Sequence, residues 1–249
     1  MSNDSLKKFY GHRNFKREFH TYAAEMNMSD EDIRNLAGKK ILLVGGGASP
    51  IKKNLNDIGI ACHITNIDVF YSEKNPDNAD TLITDNFLNR HIVDEYDEVW
   101  ASHSLPLHSD TEYEYEMFWT RALLALKPGG TLRVTGWLEP KHTNFFQKFN
   151  AKFPNTPMNL SRIPFIEKID GAKINNEQST EEFIKSLSFA KAADAVSRAN
   201  DALPPPSVKS VNYLQFTAPP DKSGLNDWLF QNLRELNTPQ ITTKHKRVR

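Results

Sequence analysis

Residues 40–50 read KILLVGGGASP, and this stretch decides the fold of the chain. The apolar run at its start has the composition of a parallel strand that is buried on both faces. The glycines predict a tight turn, and the apolar period after them predicts a helix over 51–58 that Gly59 ends. We expect Ser49 to cap this helix and Pro50 to take its first position.

Strand and helix patterns alternate after this first unit. Further strands are predicted at 61–67, 81–84, 97–102 and 131–137. Helices are predicted between them, at 89–95 and at 110–126. The alternation predicts an α/β fold, with a doubly wound, mainly parallel sheet of the seven-stranded type and helices on both faces.

Two helices are predicted before the first strand. The second spans 29–37, with Ser29 and Asp32 as a capping box and Gly38 as its left-handed end. The first has one apolar face, formed by Phe15, Phe19, Tyr22 and Met26.

The pattern weakens after residue 138. Segment 155–179 has no clean period and is predicted to be an insertion or a mobile loop. The other predicted elements are a helix at 145–153 whose phenylalanines enter the core, a helix at 179–202, an edge strand at 210–217 and a last helix at 225–236.

Composition limits the class of protein. The chain has 249 residues, of which 39% are hydrophobic and 25% charged, as in a folded α/β protein. Its single cysteine, Cys62, excludes a disulfide framework and is expected in the core. The 31 basic and 31 acidic residues cancel, although 244–249 is basic. We expect a cytoplasmic protein, because neither a membrane span nor a signal peptide is recognisable.

The glycine turn differs from two common nucleotide-binding motifs. A dinucleotide fingerprint reads Gly-x-Gly-x-x-Gly, whereas Gly45 and Gly47 are followed by Pro50. A phosphate-binding Walker loop ends in Gly-Lys-Ser or Gly-Lys-Thr, which does not occur after this strand.

Five motifs in order resemble the class I S-adenosylmethionine-dependent methyltransferases, and together they cover about residues 38–137. They are Ile-Leu-Leu-Val-Gly-Gly-Gly-Ala-Ser at 41–49, the strand-end acid Asp68, Thr-Asp-Asn-Phe at 84–87, Tyr-Asp-Glu-Val-Trp-Ala-Ser-His-Ser-Leu at 96–105 and Ala-Leu-Lys-Pro-Gly-Gly-Thr-Leu-Arg-Val at 125–134. The resemblance implies a Rossmann-like methyltransferase fold, S-adenosylmethionine as cofactor and methyl transfer as activity.

The resemblance also implies a domain plan. We expect a single methyltransferase-like domain over 1–236, followed by a basic, flexible tail at 237–249. Its parts are an N-terminal helical cap at 1–37, a cofactor-binding core at 38–137 and a variable substrate region at 138–180.

A set of cofactor-binding residues follows from the resemblance. The glycines let the backbone approach the amino-acid and ribose parts, because they have no Cβ. Asp68 is implied to accept the ribose hydroxyls, and Ser102 and His103 to contact the methionine portion. The full set is Gly45, Gly46, Gly47, Asp68, Val69, Asp85, Asn86, Ser102 and His103.

The adenine ring is assigned to the ends of the second and third strands. Asp85 and Asn86 are implied to hold its amino group and ring nitrogen. Val69 or Phe87 is implied to lie against the ring face.

One position departs from the family pattern. The family carries Asp or Glu, which helps to orient the methionine ammonium, where this chain has Leu43. The change predicts weaker cofactor binding, a substitute donor from Tyr10-Gly11-His12-Arg13, or an inactive site. The triple glycine also resembles aminopropyltransferases, but their acidic proline element is replaced here by Ser102-His103-Ser104-Leu105-Pro106.

The methyl acceptor and the catalytic groups remain open at this point. His103 and His108 are candidates for a general base, and we expect no metal site. A small-molecule acceptor is favoured, because the chain has no strongly basic face and no Asn-Pro-Pro-Tyr element after strand four. The alternatives are a catalytically inactive binding protein, or an RNA or protein methyltransferase that contacts nucleic acid through its basic termini.

Overall fold

The computed structural model describes residues 18–69, 71, 75–105, 109, 111–136, 143–166 and 208–238. No helix in this part of the chain is long and apolar enough to cross a membrane. Several predictions lie outside the described residues, namely those for the segment 10–13, Phe15, His108, the parts 138–142 and 167–180 of the substrate region, the helix at 179–202 and the tail beyond 238.

The described strands form one seven-stranded sheet. They are β1 (Lys40–Val44), β2 (His63–Asp68), β3 (Thr81–Thr84), β4 (Tyr96–Ser102), β5 (Leu126–Gly136), β6 (Leu160–Ile166) and β7 (Val208–Thr217). Their spatial order is β3-β2-β1-β4-β5-β7-β6, with β1 to β5 parallel and β7 antiparallel to both neighbours. The order reverses between β1 and β4, and strand ends at such a point form a crevice.

Helices cover both faces of this sheet. Those described are α1 (Phe19–Glu25), α2 (Asp30–Arg34), α3 (Ile51–Asp57), α4 (Glu112–Ala125), α5 (Thr143–Lys152) and α6 (Ser223–Asn237). One core, around Trp100, lies between α1 to α3 and the sheet, and the other, around Trp119, lies under α4 to α6. The predicted doubly wound α/β fold of the Rossmann-like type is confirmed.

The antiparallel strands correct the predictions for the last part of the chain. The prediction of an edge strand at 210–217 is wrong, because β7 lies between β5 and β6. The edge is β6, which lies within the segment predicted as an insertion or loop. Pro164 in β6 has no N–H to donate, so it fits an edge strand but obscures the sequence pattern of one.

The start of α3 also differs from its prediction. The helix begins at Ile51, so that Pro50 is the N-cap residue and makes no side-chain capping bond. The capping role predicted for Ser49 is therefore wrong. The capping box of Ser29 and Asp32 at the start of α2 is confirmed.

The helix predicted at 89–95 is absent. A single 3-10 turn at Phe87–Asn89 comes before it, and the N–H groups of Asp94 and Glu95 donate to two carbonyls at the end of α4. The buried ammonium of Lys222 donates to further carbonyls there and lies 2.6 Å from Asp94 Oδ1. The last carbonyls of a helix lack partners within it, so these groups complete the end of α4.

A buried guanidinium joins α2 to three strands. Arg133 on β5 is 1% exposed and donates to Glu98 Oε2 at 3.2 Å and to Asp32 Oδ1 at 2.6 Å. Its Nη1 donates to Tyr213 Oη at 3.2 Å and to Gln215 Oε1 at 3.1 Å. Burial opposes the charge, but the facing carboxylates more than offset it and raise the pKa of Arg133. The group therefore stays charged inside the fold.

We expect Arg133→Met to lower the free energy of unfolding by about 1–3 kcal/mol, because it removes a buried partner of Glu98, which keeps Lys39 Nζ at 2.8 Å. Urea unfolding measures the loss. The control is Lys127→Met, which removes a partly exposed pair with Asp97 and should cost less than about 1 kcal/mol. Equal losses in the two variants would contradict the role of Arg133.

Cys62 lies in the core around Trp100, as predicted. Burial raises the pKa of its thiol to about 11. Because only the thiolate reacts, we expect a disulfide reagent at pH 8 to modify the native protein far more slowly than the same protein in urea. Equal rates in the two conditions would show that the thiol is accessible.

Candidate functional site

Strand ends meet at the carboxyl edge of the sheet. Gly45 N donates to the Ile67 carbonyl at 2.8 Å, which joins the turn after β1 to β2. Asp85 N donates to the Asp68 carbonyl at 3.2 Å, which joins the end of β3 to β2. The residues predicted after these three strands therefore share one edge of the sheet.

Two side chains of β2 hold the glycine turn. Gly45 and Gly47 have φ values of 70° and 56°, which favour glycine. Gly46 N donates to Asn66 Oδ1 at 3.1 Å, and Asn66 Nδ2 donates to the Gly47 carbonyl at 3.0 Å. Gly47 N donates to Asp68 Oδ2 at 3.0 Å. Sequence reasoning missed Asn66, although an amide within a buried strand is a signal that it has a specific partner.

Asp68, which the resemblance implies for the ribose, lies at the end of β2. Its Oδ2 accepts from Gly47 N and its Oδ1 accepts from Tyr71 N at 2.9 Å. Both carboxylate oxygens thus accept from backbone N–H groups, and a carboxylate has about four acceptor positions in all. The side chain is half-buried, and its orientation is set by the backbone around it.

Asp85 and Asn86 make local contacts at the end of β3. Asp85 Oδ1 accepts from Asn86 N at 2.7 Å. Its Oδ2 lies 2.8 Å from Arg90 Nε, an ion pair without hydrogen-bond alignment. Asn86 Oδ1 caps the 3-10 turn by accepting from Leu88 N at 3.0 Å. Both side chains are thus oriented by their own loop, and their contact with adenine stays a prediction.

The two candidates for the adenine ring face have different surroundings. Phe87 is 2% exposed and packs edge-on against Phe118, with ring centroids 5.9 Å apart, so it belongs to the core. Val69 is half-buried directly after β2. Of the two, Val69 retains the accessibility that contact with a ligand needs.

A buried acid from α1 meets the residues at the end of β4. Glu25 is 2% exposed, and its Oε2 accepts from Ser102 Oγ at 2.6 Å. Its Oε1 lies 3.2 Å from His103 Nε2. The backbone N of His103 donates to the Thr135 carbonyl at 3.0 Å. Thr135 Oγ1 is buried and has no hydrogen-bond partner among the described residues.

Packing of α1 on the sheet places this acid. Phe19 stacks on Trp100 with ring centroids 6.2 Å apart, and Tyr22 contacts the same indole. Phe19 N also donates to Asn54 Oδ1 of α3 at 2.9 Å. Sequence reasoning identified the apolar face of α1 but missed Glu25, which lies three residues after Tyr22 and therefore on the same face.

Leu43 is an apolar core residue in this structure. It is 1% exposed, and in the sheet it lies opposite Asn66 of β2 and Trp100 of β4. The end of β1 thus carries no acid, as the sequence indicates. Leu43 lies beside the amide that orders the glycine turn.

The described residues contain no group of three histidine, cysteine, aspartate or glutamate side chains that could hold a metal ion. A cavity of about 460 Å³ lies beside the start of β3 and is lined by Asn78 and Thr81, and also by Tyr71 of the connection after β2. We therefore place the candidate site at the carboxyl edge.

Comparison with protein-family models and with curated proteins finds no match. Among solved structures, the chain is similar to the methyltransferase complexed with the Trm112 activator of Haloferax volcanii, with 12% identity, a TM-score of 0.42 and coverage of 87% of this chain and 95% of that one. The N-methyltransferase NodS of Bradyrhizobium japonicum WM9, bound to S-adenosylhomocysteine, is 10% identical with a TM-score of 0.42, and the match covers 81% of this chain and 86% of NodS. The cyclase SpnF is 15% identical with a TM-score of 0.39, and the match covers 76% of this chain and 79% of SpnF. At these values the similarities carry no conclusion about activity.

We expect Gly45→Ala to destabilise the protein and to disrupt the turn. A Cβ at this position would lie 2.5 Å from Ser104 Cβ, in addition to the cost of a positive φ. Gly38→Ala is the matched control, because its φ is +76° and nothing lies within 4 Å of the added atom. The control should lose about 1–2 kcal/mol and Gly45→Ala clearly more in urea unfolding. Equal losses would contradict the close approach of Ser104.

Proposed function

We propose that this protein binds S-adenosylmethionine at the carboxyl ends of β1, β2 and β4 and transfers its methyl group to a small-molecule acceptor. The observation that carries the proposal is the glycine turn, which hydrogen-bonds to Asp68 at the end of β2. Ser102 and His103 lie at the end of β4, the strand next to β1. An acid at a strand end beside a glycine turn suits the ribose of a nucleoside.

The residues present fit this cofactor. Asp68 is a half-buried carboxylate at the end of β2, the kind of acceptor that a ribose diol needs, and the turn at Gly45 presents backbone without side chains. The buried Thr135 Oγ1, without a described partner, is a further polar group at the same edge. When bound, the cofactor supplies a methyl group on a positively charged sulfur. A nucleophile attacks the methyl carbon directly, and the sulfur leaves as a neutral thioether.

The chain's own task in such a reaction is to position the acceptor against the cofactor and to exclude water. A direct displacement requires the acceptor atom in line with the methyl carbon and the sulfur, and holding that geometry supplies much of the rate. Where the acceptor is a hydroxyl or an amine, a base must also take its proton. His103 is the candidate for that step, with Glu25 beside its Nε2. His108, the other candidate, lies outside the described residues.

A binding protein without turnover is the second candidate function. Its support is Leu43, which fills the position of the family's acid with a buried apolar side chain. The proposals of an RNA or protein acceptor, of a single domain over 1–236 and of a cytoplasmic location rest on the sequence alone.

Calorimetric titration tests the proposed function. We expect micromolar binding of S-adenosylmethionine and S-adenosylhomocysteine and no binding of NAD, which serves as the control. Binding without any methyl transfer to acceptors in a metabolite extract would favour the second candidate. Binding of NAD alone would overturn both.

We expect Asp68→Ala to weaken S-adenosylhomocysteine binding by tenfold or more, because a hydrogen bond to a charged group contributes about 1.5–3 kcal/mol. Asp77→Ala is the control, since this exposed acid lies on the same β2–β3 connection. Unchanged affinity in Asp68→Ala would show that the ribose does not bind at the end of β2.

A further inference from the structure

We propose that Glu25 supplies the carboxylate that binds the ammonium group of the cofactor's methionine portion. The inference rests on the proposed cofactor site. It assigns the binding of the ammonium group to α1 instead of β1. Leu43 leaves β1 without an acid, so a carboxylate for the ammonium must come from another element.

The position of Glu25 meets this requirement. In the sheet, Leu43 of β1 lies opposite Trp100 of β4, so Ser102, two residues further on, lies beside the turn at Gly45. The close approach of Ser104 to Gly45 confirms that the two strand ends touch. Because its Oε2 accepts from Ser102 Oγ, the carboxylate of Glu25 lies at the junction of β1 and β4.

The other acids of this edge lie towards the adenosine part. Asp68 is held by backbone N–H groups after β2, and Asp85 faces Arg90 after β3. In the sheet order β3-β2-β1-β4 these acids fall on one side of β1 and Glu25 on the other. A ligand spanning the strand ends would thus meet Asp68 with its ribose and Glu25 with its amino-acid tail.

Burial makes Glu25 suited to recognise a charge. The residue is 2% exposed and its Oε1 lies 3.2 Å from His103 Nε2, so an ammonium group reaches the carboxylate by taking the place of that ring. A charge pair shielded from water then interacts more strongly than one in solvent. Its position is preorganised by Phe19, which stacks on Trp100 and donates its N–H to Asn54 Oδ1. A carboxylate held in this way needs little reordering to accept hydrogen bonds from an ammonium group.

Three ligands separate this role from a structural one. S-adenosylhomocysteine carries the ammonium, its deaminated analogue has hydrogen in place of the amino group, and methylthioadenosine lacks the amino-acid tail. We expect the wild type to bind S-adenosylhomocysteine about tenfold more tightly than the deaminated analogue. In Glu25→Gln this preference should fall to nearly one, while methylthioadenosine binds both proteins equally.

The preference is a ratio within one protein, so it is independent of any change in stability. Glu31→Gln, an exposed acid of the neighbouring helix α2, is the matched control and should keep the wild-type preference. Ser102→Ala removes the hydroxyl that orients Oε2 and should reduce the preference by a smaller factor, which keeps the test open if Glu25→Gln does not fold.

The outcomes distinguish the two proposals. Wild-type protein that binds none of the three ligands would overturn the proposed function and this inference with it. Binding by the wild type with an unchanged preference in Glu25→Gln would overturn the role of Glu25 alone. An equal loss for all three ligands in that variant would assign Glu25 a structural role only.

Discussion

The burial of one guanidinium sets the position of the N-terminal helices. Arg133 reaches across the sheet to Asp32 in α2 and to Glu98 in β4, and Glu98 in turn accepts from Trp100 Nε1 at 3.0 Å. The indole of Trp100 is the surface on which Phe19 of α1 stacks. Charges taken out of water are tolerated only where each has partners, so these groups allow few alternative arrangements. The position of α1 at the strand ends depends on this network.

Most of the sheet was predictable from the sequence because its parallel strands are local apolar runs. The run before Gly45 gives β1, and the capping box of Ser29 and Asp32 gives the start of α2. The antiparallel pair was not predictable in the same way. Whether β7 is central or at an edge depends on the pairing of β6, and Pro164 hides β6 from any pattern search. Long-range pairing, unlike periodicity, leaves little trace in a short window.

The candidate site likewise has a part that local sequence patterns predict and a part that depends on tertiary contacts. The side after β2 and β3, which we propose for the adenosine part, is built from contacts within short loops, such as Asn86 capping its own turn, and the sequence motifs there contain these residues themselves. The side after β4, which we propose for the methionine portion, is built from tertiary contacts between α1 and β4, and Glu25 and Ser102 are 77 positions apart in the sequence. The sequence predicted a helix for this region but not the partner of its one buried acid. Position 43 in β1 carries leucine where the family that the sequence resembles has an acid, so the local signal for that side is missing.

The contact between Gly45 and Ser104 restricts the order in which this edge could change over generations. Ser104 occupies the space that a Cβ at position 45 would need, and its hydroxyl donates to the Val44 carbonyl at 2.5 Å. A descendant could replace Ser104 with glycine first and lose only that bond. The reverse order passes through an intermediate with a steric clash. A change at position 45 therefore requires an earlier change at position 104, and even then the left-handed backbone would favour glycine.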